Sequence, residues 1–125
     1  MAALTERVPP ELQHLLMKYQ QLQEQYATVT TERTAVESEL RETQRVIEEL
    51  NKLEDNATVY KAAGMVLYRA NKEDVVKELS ERKELLELRL RALRKQEELL
   101  KNQLAETQRR IKELSERSVR LQRGS

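Results

Sequence analysis

Few side chains in this sequence are placed to do covalent chemistry. His14 is the sole histidine and has no second ligand type at a fixed spacing, so nothing reads as a metal site. The absence of cysteine removes disulfides, thiolate ligands and a thiol nucleophile together, and suits an intracellular, cytoplasmic protein. Carboxylate pairs such as Glu48-Glu49 and Glu97-Glu98 lie in stretches that offer no cleft to shift a pKa. There is neither a glycine-rich phosphate loop nor a nucleophile elbow. These features speak against an enzyme and against a cofactor.

What remains is the chemistry of recognition. Arg89, Arg91, Arg94 and Lys95, and then Arg109-Arg110 with Lys112, form basic clusters. Glu87, Glu97, Glu98 and Glu113 are interspersed among them without aromatic stacking partners, which argues against nucleic acid. The apolar signal is more specific. Val59, Tyr60, Ala62, Gly64, Met65, Val66, Leu67 and Tyr68 place strand formers on either side of a glycine, as in a short β-hairpin. Met65 to Tyr68 is apolar at consecutive positions, where a one-sided strand would alternate, so it requires burial by other chains. The run is far too short to span a membrane.

Two heptad tracts must hold that segment. Steps of three and four residues put Leu12, Leu15, Tyr19, Leu22, Tyr26, Val29, Arg33, Val36, Leu40, Thr43, Ile47 and Leu50 on one seam. The same counting gives Val76, Leu79, Lys83, Leu86, Leu90, Leu93, Glu97, Leu100, Leu104, Thr107, Ile111, Leu114, Ser118 and Leu121 on another. A repeat sustained this long means a coiled coil with a left-handed supercoil. The composition agrees: 36% of the residues are charged and there is no Phe or Trp, too little to fill a globular core. Because the charges interleave with periodic leucine, the pattern is not that of a disordered chain.

The chain therefore divides into a flexible arm over 1–9, a first coiled-coil helix over 10–55, a hairpin over 56–71, a second helix over 72–123, and a tail at 124–125. Pro10 suits a first helical turn and Asn71 suits an N-cap, with Asp74 placed for a capping-box-like contact. The fold class is mainly α: a long antiparallel two-helix coiled coil joined by a β-hairpin. Residues 10–55 carry ten carboxylates against five cations and residues 72–123 eleven against fifteen, so antiparallel pairing brings complementary charge together. Folding back symmetrically about Gly64 would oppose residues whose numbers add to 129 or 130. Leu50 would then meet Leu79, Leu12 would meet Ser118, and Arg33 would meet Glu97 as a register pair.

Several of these residues match a known family. Tyr19-Gln20-Gln21-Leu22-Gln23, Leu50 and Leu53, Val59-Tyr60-Lys61-x-x-Gly64-x-x-Leu67, and Lys72-Glu73 followed by Leu79, Leu86-Glu87, Leu93, Gln96-Glu97 and Leu100 resemble the β-type subunit of prefoldin of archaeal kind. The segment at the bend is the specific part, and the resemblance covers residues 11–113. It implies an ATP-independent chaperone subunit in a hexamer of two α-type and four β-type subunits, so the partners are an α-type subunit and further copies of this chain. The implied hairpins form an intersubunit β-barrel, and the coiled-coil tips hold unfolded polypeptides for transfer to a group II chaperonin. Room for one hairpin assigns the β type.

On that reading the tip is built from Leu4, Val8, Leu12, Leu15, Leu16 and Met17 on one side and Ile111, Leu114, Val119 and Leu121 on the other. Leu16, Met17 and Val119 lie off the seam and are the foremost candidates for client contact, since adaptable apolar surface tolerates many partners. Arg117, Arg120 and Arg123 mark the implied chaperonin contact. The competing reading is a structural coiled-coil tether or spacer without client binding.

Overall fold

A computed structural model describes residues 8–123, with side chains as far as Leu121. Helix α1 spans Pro10–Asn51, strand β1 Val59–Ala63, strand β2 Val66–Ala70 and helix α2 Lys72–Arg123. Proline opens α1 because its missing N–H is not needed in the first turn. The Pro9 carbonyl accepts the first helical bond, from Gln13 N at 3.0 Å. At the start of α2, Asn71 Oδ1 accepts from Glu73 N at 2.9 Å, and the Asn71 carbonyl accepts from Val75 N at 3.1 Å. This is the expected N-cap.

The strands pair antiparallel from Val59↔Ala70 to Ala63↔Val66, leaving Gly64 and Met65 as a two-residue turn. Gly64 has φ 60° and no non-glycine described residue has a positive φ. A positive φ on the first turn residue alone is the hairpin turn that needs Gly there, and its twist matches that of the strands.

The chain packs as two units, residues 32–93 and residues 1–31 with 94–125. In the first, Val36, Leu40, Thr43, Leu86, Leu90 and Leu93 are buried, together with Val59, Lys72 and Val75. In the second, the buried positions are Leu12, Leu15, Leu22, Val29, Leu100 and Thr107. Every helical position in these sets except Lys72 and Val75 lies on the expected seams. Leu121, assigned to the second seam, is instead 71% exposed. Thr43 tolerates burial because its hydroxyl donates to the Glu39 carbonyl one turn back, at 2.8 Å.

The seams are as expected, and charged side chains on their flanks join the two helices. Within residues 32–93, Arg82 pairs with Glu39 at 2.7 Å and Arg89 with Glu32 at 3.7 Å, and each pair of numbers adds to 121. In the other unit Arg110 meets Glu11 at 3.1 Å, with the same total. The hairpin pairs all add to 129. Seven residues, 52–58, join α1 to β1, whereas Asn71 alone joins β2 to α2. Totals across the helices run from 121 at these exposed ion pairs to 127 at the Thr30–Glu97 hydrogen bond, because long flank side chains reach along the helix axis. Of the two residues expected to pin the register, Arg33 lies 3.1 Å from Glu37 in its own helix. Glu97 accepts a 2.8 Å hydrogen bond from Thr30.

Candidate assembly and polypeptide-binding surfaces

The hairpin exposes apolar side chains on both faces. Alternation along paired strands puts Val59, Lys61, Ala63, Val66, Tyr68 and Ala70 on one face and Tyr60, Ala62, Leu67 and Arg69 on the other. Val66 is 62% exposed and Tyr68 44% on the first, and Tyr60 61% and Leu67 71% on the second, with Met65 fully exposed at the turn. Two strands alone are marginally stable in water, and a hairpin this apolar leaves unburied the surface that would stabilise it. Val59 differs from the other residues of the expected assembly set in that its side chain is buried within its own chain.

The base of the hairpin is fastened by two lysines. Lys72, the first residue of α2, is buried and donates to the Leu53 carbonyl at 2.6 Å, with Asp55 Oδ1 at 3.5 Å. The last turn of α1 contains no basic residue, so Lys72 brings a positive charge to the negative end of that helix from across the hairpin. Lys61 on β1 donates to the Glu78 carboxylate on α2, which holds the Lys61 ammonium above its ordinary pKa. Nothing in the spacing of the sequence singled out Glu78 or Asp55; both are contacts across the chain.

The expected client-binding residues separate by burial. Leu12 and Leu15 are buried in the seam, and Ile111 and Leu114 are half-buried, so their surface is largely committed to packing between the helices. Leu16 at 47%, Met17 at 64%, Val119 at 44% and Leu121 at 71% are exposed. Val8 is half-buried, and Leu4 lies outside the described residues. Arg117 and Arg120 border a shallow surface with Glu113 and Glu116, while the Arg123 side chain is outside those described. His14 sits in a shallow cleft with Glu11, Lys18, Glu106 and Arg110. Sequence reasoning overlooked Leu85, Leu88 and Leu99, all exposed leucines that fall off the seam. Their displacement from the three- and four-residue steps was the available signal.

Two long helices joined by an antiparallel hairpin, with apolar side chains exposed on the hairpin and off the seam, define the class of a helical-hairpin coiled-coil protein. The comparisons with known proteins agree. The family described as "Prefoldin subunit" matches residues 13–118. Prefoldin subunit beta of Sulfurisphaera tokodaii is 50% identical over 111 residues, which cover 89% of each chain. That of Archaeoglobus fulgidus is 47% identical over 107 residues, covering 86% of this chain and 92% of the relative. The crystal structure of the prefoldin beta subunit from Thermococcus strain KS-1 superposes with a TM-score of 0.80 at 34% identity, covering 86% of this chain and 94% of that one. The beta2 subunit from the same strain, at 16% identity and a TM-score of 0.65, covers 73% of this chain and 97% of its own, and shows the shared fold. The chain belongs to the prefoldin family as a β-type subunit of archaeal kind, and its role is that of a prefoldin-family chaperone.

Proposed function

We propose that this chain is a holding chaperone subunit that assembles with an α-type subunit and further copies of itself through its hairpin. It binds non-native polypeptides through exposed side chains near the Pro10 end of α1 and the Arg123 end of α2, and passes them to a group II chaperonin. The observation that carries the assembly step is the hairpin with large apolar side chains exposed on both faces, at Tyr60, Leu67, Val66 and Tyr68. A two-faced apolar strand pair is completed by strands of neighbours, as in a closed barrel, which also removes its edges. For client binding the support is the exposure of Leu16, Met17, Val119 and Leu121. Several weak apolar contacts on separate subunits gain affinity by avidity. No nucleotide enters this scheme. Among the described residues no helix is long and apolar enough to cross a membrane, and we place the protein in the cytoplasm.

The test combines native mass spectrometry with suppression of aggregation of a denatured protein. Mixed with an α-type subunit, the chain should form a hetero-oligomer, two α with four β, that suppresses aggregation at near-stoichiometric ratio. Replacing Leu16, Met17 and Val119 by Ser should weaken suppression at unchanged assembly mass. An assembly that suppresses nothing would favour the spacer reading.

A further inference from the structure

The hairpin is joined rigidly on one side and loosely on the other. Only Asn71 separates β2 from α2, and its side chain and carbonyl are engaged in capping that helix. On the other side, residues 52–58 connect α1 to β1, and Lys72 fastens that link at Leu53 and Asp55. The orientation of the hairpin is therefore a question of how it sits against α2.

Two rows of residues answer it. Val59 and Lys61 follow each other on one face of β1. Lys72, Val75 and Glu78 follow at three-residue steps along α2, which places them on one side of the helix. Val59 and Val75 are both buried, and the next member of each row is one partner of the Lys61–Glu78 ion pair. The face of the hairpin bearing Lys61 and Tyr68 is thus inclined toward α2. The opposite face, with Tyr60, Ala62, Leu67 and Arg69, is turned away from it.

We propose that the Lys61–Glu78 ion pair is a strut that sets the tilt of the hairpin on α2, and so the direction in which the helices leave an assembly built on that hairpin. The second clause rests on the assembly reading given above; the first does not. Lys61 is a positioning residue here: its side chain is 32% exposed and that of Glu78 60%, so both groups remain partly hydrated. An exposed pair of this kind biases an orientation by roughly two- to five-fold. That is too little to hold a fold together but enough to narrow a distribution of tilts. A small change of tilt is magnified along helices of this length.

The chain has no cysteine, so spin labels can be placed at two chosen sites. With labels on Met65→Cys in the turn and Glu84→Cys on α2, pulsed electron-spin distance measurements on the full chain report the tilt, both free and mixed with an α-type subunit. The parent should give one narrow distance. Lys61→Met and Glu78→Gln should each broaden it about two-fold or shift its maximum. The exchange Lys61→Glu with Glu78→Lys should restore the parent distribution, and helix content by circular dichroism should be the same in all. A parent distribution unchanged in both single variants would overturn the strut. If native mass spectrometry showed no assembly, the assembly reading would fail by itself, while the distances in the free chain would still decide the strut.

Discussion

Lys72 Nζ lies 2.6 Å from the carbonyl oxygen of Leu53, so the first residue of the second helix fastens the link that leaves the first. The bond is charged, and Lys72 is 9% exposed. It closes the long side of an asymmetric connection and ties the hairpin base to both helices. Lys72→Met removes the donor and leaves a carbonyl to find another partner. The expected loss is about 1.5–3 kcal/mol, the usual worth of a hydrogen bond to a charged group. Thermal unfolding by circular dichroism measures it, and a melting curve identical to the parent's would show that the bond is dispensable.

Adjacent leucines on α2 should differ sharply. Leu86 is 3% exposed and Leu85 60%. Leu86→Ala should lower stability by about 2–5 kcal/mol through lost transfer energy and the cavity left behind. Leu85→Ala should stay within about 0.5 kcal/mol, as surface changes do. Chemical denaturation of both variants checks the direction each side chain faces.

The register can be read by cross-linking. Val36 and Leu86 border one cleft, so Val36→Cys with Leu86→Cys should be joined readily by a short thiol-specific linker within one chain. Val36→Cys with Val76→Cys, ten residues and about 15 Å further along α2 toward the hairpin, should not. Joining of the second pair as readily as the first would contradict this placement.

Gly64 is needed for its backbone, not for space. A Cβ built there meets nothing within 4 Å, yet φ is +60°. Gly64→Ala should cost about 1–2 kcal/mol, the penalty of a left-handed conformation for an L-residue. A D-alanine at the same position should cost little. Equal stability of the L- and D-alanine chains would remove the turn assignment.

Most of the fold was legible because it is periodic. Heptad spacing identified the seams, Pro10 and Asn71 marked helix starts, and strand formers around Gly64 marked the hairpin. The partners across the helices were less legible, since a slip of one heptad would leave the inward pattern unchanged. The unequal links, seven residues before β1 against one after β2, bear on the register, and no periodicity reports them. The burial of the Val59 side chain was not legible for a related reason: its residue type suits a strand in any environment, and its burial depends on where the helix ends lie. The Lys61–Glu78 and Lys72–Leu53 contacts join residues far apart in sequence and exist only in the folded chain. The exposure of Leu16, Met17 and Val119 was legible because departure from the seam is itself a pattern.

The central claim is that the exposed off-seam side chains hold non-native chains while the hairpin assembles the subunits. It is tested most directly by aggregation of a chemically denatured protein diluted into the complex formed with an α-type subunit. The Leu16→Ser, Met17→Ser, Val119→Ser chain is compared with the parent at equal, mass-verified assembly. Suppression should fall several-fold in the triple variant and be complete in the parent. Equal suppression by both would contradict the account.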